Sequence, residues 1–96
     1  SIIPNQTAIM PAYPNPFNGR VTIPFNLSEI TNSSIIIYNI IGQIIEKRSL
    51  RDFPPGKHKI VWNGLTNSGH PISTGIYFVK LKTNASESIQ KLIYLK

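Results

Sequence analysis

Ninety-six residues carrying eight prolines, six glycines and a net charge of +6 make one domain and leave no uninterrupted stretch for a long helix. The absence of cysteine excludes a disulfide framework and a thiolate metal site. Seventeen isoleucines against three alanines favour pleated sheet, where β-branched side chains pack well, so the class is all-β.

Residues 1–12 read as a linker running into a first edge strand, because Pro4 and Pro11 forbid a helix. Tyr13-Pro14-Asn15-Pro16-Phe17-Asn18-Gly19 follows as a stiff turn, each proline setting its own φ and biasing the residue before it toward extended geometry. In Val21 to Leu27 the apolar Val21, Ile23, Phe25 and Leu27 alternate with Thr22, Pro24 and Asn26, the half-buried strand pattern. Pro24 has no N–H for a ladder, so its nitrogen should face a strand edge. Glu29 to Asn32 is a turn, Ser33 to Ile40 a strand, Ile41-Gly42-Gln43 a tight reversal, and Ile44 to Leu50 the next strand. After the loop at Asp52 to Gly56, Lys57 to Trp62 alternates again and sets His58, Ile60 and Trp62 on one face. A long loop from Asn63 to Thr74, rich in turn formers, leads to strands at Gly75 to Lys82 and Ser88 to Leu95, joined by a turn at Asn84 to Glu87. Seven short strands with frequent turn signals predict a two-sheet antiparallel sandwich.

An apolar run such as Ile35-Ile36-Ile37-Tyr38 falls far below the roughly 18 residues of a bilayer span, so no transmembrane segment is expected. No basic and then apolar leader opens the chain. It begins at Ser1 and its first Met is Met10, so it reads as a piece of a larger protein. The basic residues are dispersed, with only Lys47-Arg48 and Arg51 close together. That distribution reads first as a mildly basic solvated surface, with attraction to an acidic partner or an anionic outer-membrane surface as the alternative, and nucleic acid is not expected as a partner.

Candidate chemistry is sparse. His58 shares a face with Ile60 and Trp62 and reads as a packed ring, and His70 sits in a turn. The acids Glu29, Glu46, Asp52 and Glu87 are scattered, and no phosphate loop, nucleophile elbow, calcium loop or metal-binding His-Glu pair occurs. No catalytic residue, metal site or cofactor is expected, and the chain is not expected to be an enzyme. The sequons at Asn5, Asn26, Asn32 and Asn84 read as incidental. Tyr13, Tyr38, Tyr77 and Tyr94 are candidates for a sugar-stacking platform, against the plainer reading that strand tyrosines pack their rings and expose their hydroxyls.

The turn motifs in order are more specific. Tyr13-Pro14-Asn15-Pro16-Phe17-Asn18 is followed by Ile37-Tyr38-Asn39-Ile40-Ile41-Gly42-Gln43, then Pro55-Gly56-Lys57-His58 and Val61-Trp62-Asn63-Gly64. Ser68-Gly69 to Gly75-Ile76-Tyr77-Phe78 and Lys91-Leu92-Ile93-Tyr94-Leu95-Lys96 close the series. From Tyr13 to Lys96 it resembles the type A C-terminal sorting domain of the type IX (Por) secretion system, and the related immunoglobulin-like domain of the flagellar hook-capping protein. The resemblance implies a linker and edge segment over 1–12 and an Ig-like sorting domain over 13–96. It implies a cargo domain upstream on the same chain, and recognition by outer-membrane translocation machinery that includes a shuttle and a sortase-like protease. It further implies a route through the periplasm and outer membrane to the cell surface or medium, with any cut in the linker before Tyr13. The final strand is the part of the family signal tied to export, which maps translocon recognition to Lys91 and Lys96. The family's usual Asp is Asn39 and Asn63 here, which keeps the turn-forming side chain and drops the charge. The usual Ig disulfide is missing and Trp62 lies on the fifth strand. Gly42, Gly56, Gly64, Gly69 and Gly75 fall at expected reversals, and Tyr77 is expected to pack beside Trp62. Two other roles stay open: an assembly domain of the hook-cap kind, or a carbohydrate-binding accessory module.

Overall fold

The computed structural model describes residues 7–29, 32–51 and 53–96. Within them the chain is an all-β, Ig-like sandwich of seven strands: β1 (Ala8–Ile9), β2 (Val21–Leu27), β3 (Ser33–Asn39), β4 (Ile44–Leu50), β5 (Gly56–Trp62), β6 (Gly75–Lys82) and β7 (Glu87–Tyr94). The bounds of β2, β4 and β6 are those expected from the sequence, while β3, β5 and β7 differ by a residue at their ends. Residues 1–6 of the expected linker, with the Asn5 sequon, lie outside the described residues, as do residues 30 and 31 of the expected turn and Asp52.

All strand pairs are antiparallel. One sheet has the order β1-β2-β5 and the other β4-β3-β6-β7. The fourth strand therefore lies beside the third, whereas in a constant-type Ig domain it lies beside the fifth. Alternation decides what fills the space between the sheets. Val21, Ile23, Phe25 and Leu27 of β2 are fully buried and face Ile35 and Ile37 of β3, Val79 and Leu81 of β6, and Leu92 of β7 in one apolar cluster. At about 1.5–3 kcal/mol for each fully buried large aliphatic or phenyl side chain, this cluster is the main source of stability. Ile9 and Ala12, upstream of the proline turn, belong to it as well.

Pro24 sits in the middle strand of its sheet, and the geometry resolves the apparent conflict. Its carbonyl accepts the Met10 N–H at 2.9 Å. In an antiparallel strand a residue's nitrogen and carbonyl share a side, so the ring nitrogen faces the flank that β1 has already left at Ile9.

The hairpin between β3 and β4 turns on Gly42, whose φ of +87° is open to glycine and strained for other residues. Just before it the ladder slips, since Ile37 pairs with Glu46 but Tyr38 pairs with Ile44, and the extra residue Ile45 packs on the core. Edge strand β4 also points charge inward. Glu46 and Arg48 stand opposite the buried Ile37 and Ile35 and pair with each other at 2.6 Å. Inward charges on an edge discourage pairing with another chain.

Candidate functional site

Part of the motif series, Tyr13 to Asn18 with Trp62, Gly64, Tyr77 and the chain end, converges at one end of the sandwich. Phe17 packs between Trp62 and Tyr94, with ring centroids 5.7 and 5.1 Å away, and Trp62 meets Tyr77 edge-on at 6.0 Å. All four rings are buried. Two polar tips are satisfied locally: Trp62 Nε1 donates to the Leu65 carbonyl at 3.0 Å, and the Tyr77 hydroxyl donates to the Ser73 carbonyl at 2.7 Å. The second contact, from the start of the sixth strand back to the preceding corner, has the form of the tyrosine corner found in Ig domains. Burial pushes the Tyr77 phenol above its ordinary value of 10.0, with the neighbouring Tyr94 adding to the shift. Gly64 takes φ +72°, and a Cβ there would lie 3.5 Å from the Tyr94 ring. Tyr77 beside Trp62 is as the sequence suggested.

The same motif clamps the last strand. β7 is the outer strand of its sheet, so the backbone groups of alternate residues point away from β6. Asn15 meets two of them: its Nδ2 donates to the Lys91 carbonyl and its Oδ1 accepts the Ile93 N–H, both at 2.9 Å. The amide thereby stands in for a strand's own peptide group. The backbone continues the seam, with Phe17 N–H on the Ile93 carbonyl and Leu95 N–H on the Phe17 carbonyl, both at 2.9 Å. Further along β7, Ser88 Oγ accepts the Ile9 N–H at 3.0 Å. Both peptide bonds into Pro14 and Pro16 are cis. Tyr13 is exposed and ties back to β2 through reciprocal backbone bonds with Thr22 at 2.9 and 2.8 Å.

Lys91 projects from β7 with an exposed side chain, while its carbonyl is held by Asn15. Exposed Lys96 is anchored through its N–H to Thr74 Oγ1 at 3.0 Å. It lines a shallow cleft of about 380 Å³ with Pro14, Pro16, Phe17, Asn18 and Leu95, so the cleft exists only when the first motif and the chain end are together. The remaining motif positions do not join this group. Tyr38 and Gly42 belong to the β3–β4 hairpin side, Gly56 opens β5, Gly69 lies in the 66–70 turn, Gly75 opens β6, and Asn63 is exposed.

Other candidates resolve into structural roles. His58 Nε2 donates to the Pro54 carbonyl at 2.7 Å, and the ring packs against Phe25 and Phe53. His70 pairs with Ser68 Oγ at 3.0 Å on the surface. Among the described residues no three His, Asp or Glu side chains gather. The four tyrosines do not form a platform: Tyr77 and Tyr94 are buried, Tyr13 lies beside Thr22 on one sheet, and Tyr38 lies on the outside of the other. Sequence reasoning missed the roles of Asn15 and Asn67. Asn67 repeats the device on the opposite edge strand, its N–H on the Ile45 carbonyl at 3.0 Å and its Oδ1 accepting the Lys47 N–H at 3.2 Å. An asparagine held between two prolines was the available signal for the first.

The family model described as "Secretion system C-terminal sorting domain" matches residues 11–95. No curated protein matches the chain. Among solved structures, dimeric latent PorU from Porphyromonas gingivalis superposes on 98% of the chain with a TM-score of 0.69 at 18% identity. PorZ, described as an essential surface component of the type IX secretion system of the same organism, superposes on 88% with a TM-score of 0.59 at 17% identity. The chain spans only 10% and 11% of those two proteins, and at such identity the likeness is one of fold.

Proposed function

The chain belongs to the secretion-system C-terminal sorting domain family, and from that premise we propose that it is a non-catalytic address that sends a larger cargo across the outer membrane by the type IX route. The address is read as a folded object. The observation that supports this reading is the clamp of Asn15 and Phe17 on β7, which binds the start of the motif series to its end. Lys91 and Lys96 are the contacts offered to the translocation machinery, because Asn15 holds the Lys91 carbonyl and Thr74 the Lys96 N–H while both side chains stay exposed. Lysines on an edge strand also resist unwanted strand pairing, and recognition requires that they do more than that. Removal of the domain by a sortase-like protease, with surface attachment of the cargo, completes the reading. A cut that spares the fold falls before β1, since Ile9 and Ala12 are core residues.

The test fuses the whole 96-residue chain to a passenger in a host that has the system. The passenger is expected at the surface, and removal of residues 91–96 is expected to trap it in the periplasm. Because that truncation also removes buried Leu92 and Tyr94, the deciding variant is Lys91→Gln with Lys96→Gln, which leaves the core intact. Its export is expected to fall with melting temperature unchanged. Wild-type export of the double variant would overturn the assignment of the two lysines.

A further inference from the structure

A sheet with one face in water normally carries polar residues on that face. The three-stranded sheet obeys in the main, with Thr22, Asn26, Lys57 and Lys59 outward, and its apolar members Pro24, Val61, Met10 and Tyr13 stand among or beside them. The four-stranded sheet does not. Cross-strand partners share a face, so its outer surface can be read in rows: Ile44, Tyr38, Phe78 and Lys91, then Lys47, Ile36, Lys80 and Ile89, with Ile76 beside Ile93. Tyr38 stacks on Phe78 at 5.7 Å, and Lys80 Nζ sits 5.7 Å from the Tyr38 ring centroid. The apolar surface runs on to the hairpin tip, where Ile40 and Ile41 are 70% and 75% exposed.

The amides at the tip are already satisfied. Asn39 Oδ1 accepts the N–H groups of Ile41 and Gln43 at 3.1 and 2.9 Å, and the Gly42 N–H donates to the Asn39 carbonyl at 3.0 Å. These amides lose no partner when the tip is covered, so desolvating them costs little. Exposed apolar surface of this extent on a small domain marks a contact site.

We propose that this face, from Ile40 and Ile41 across Ile44, Tyr38 and Phe78, docks an amphipathic segment of a partner protein whose apolar side is bordered by carboxylates. The proposal rests on the sorting reading for the partner's identity as export machinery, and on the face alone for its chemistry. Charge selects the occupant. The face carries Lys47, Lys80, Lys82 and Lys91 against Glu87. Two copies of a +6 chain laid face to face would therefore oppose lysine to lysine. A lipid surface met by the tip would leave the rows behind it uncovered, whereas a segment lying across the sheet covers both. A shallow depression of about 310 Å³ lined by Ile36, Tyr38, Gly42, Ile44 and Lys80 can seat one large apolar side chain, with the Lys80 ammonium beside it for a carboxylate.

The experiment measures fluorescence anisotropy of two designed amphipathic helical peptides titrated with the 96-residue chain. One has its leucine stripe bordered by glutamates and the other by lysines. The glutamate peptide is expected to bind at least about tenfold more tightly, and to weaken as salt rises. Ile41→Asp and Ile44→Asp, both at exposed sites, are expected to reduce its binding by about tenfold or more, while Val61→Asp on the opposite sheet leaves it unchanged. Equal binding of both peptides, no binding, or equal effects of the three substitutions would overturn the proposal. So would binding to phosphatidylglycerol vesicles, or a dimer in sedimentation, abolished by the same two substitutions. The passenger fusion separates this proposal from the sorting reading. Failure of the unaltered fusion to reach the surface defeats the sorting reading, and the peptide titration still decides the docking face. Normal export of the Ile44→Asp fusion defeats its role in export alone.

Discussion

The aromatic end of the core and the outer face of the four-stranded sheet are both rich in large apolar side chains, yet they differ in what surrounds them. Phe17, Trp62, Tyr77 and Tyr94 are enclosed and pack ring against ring, and the polar tips of Trp62 and Tyr77 are bonded. Ile40, Ile41 and Ile44 stand in solvent, and Tyr38 and Phe78 are covered mainly by each other and by Lys80. Enclosed apolar area stabilises the fold, whereas exposed apolar area does not. Residues of the first kind explain why the domain exists, and residues of the second kind call for a partner.

The largest effect that sharpens this contrast is on stability. Trp62→Ala is expected to cost about 3–5 kcal/mol, the range for emptying a large aromatic from a packed core. In a domain of this size that lowers the melting temperature by about 4–8 °C per kcal/mol. Ile44→Ser on the outer face is expected to stay within about 0.5 kcal/mol of the parent. Calorimetry on the pair checks both, and comparable losses would erase the distinction between the two regions.

A second way to probe the enclosed end uses pH. Tyr77 is an acid whose folded pKa is raised by burial, so the native state holds its proton more tightly than the unfolded chain. Its contribution to stability is present below the ordinary phenol value of 10.0 and is lost as pH rises through the folded value. Spectrophotometric titration is expected to show a tyrosine ionising above the ordinary range, together with alkaline destabilisation, and Tyr77→Phe is expected to remove that phase. A titration unchanged by Tyr77→Phe would place the ring in a more open environment than the packing against Trp62 implies.

The sequence carried much of this contrast and hid a specific part of it. Alternation along Val21 to Leu27 located a strand whose inner residues are now core, because a period of two is a property of the strand itself. The glycines at reversals were legible for the same local reason, and all five expected positions have positive φ. The run Ile35-Ile36-Ile37-Tyr38 makes its strand apolar on both sides, and which side lacks a covering layer depends on the stacking of the second sheet. The clamp was less legible still. Asn15 and Lys91 are 76 residues apart, and their bond depends on β7 being an edge strand, which no local pattern specifies. The fourth strand's place beside β3 is likewise a matter of pairing between elements.

The central claim is that the first motif and the last strand form one unit, and the most direct test is amide hydrogen exchange at Ile93 in the native protein. This N–H points off the free side of an edge strand and has the Asn15 side chain as its partner. It is expected to be protected like a ladder amide in the parent and to exchange at least about tenfold faster in Asn15→Ala, while amides between β3 and β6 keep their protection. An Ile93 amide that already exchanges like an open edge in the parent, or that ignores the substitution, would contradict the account.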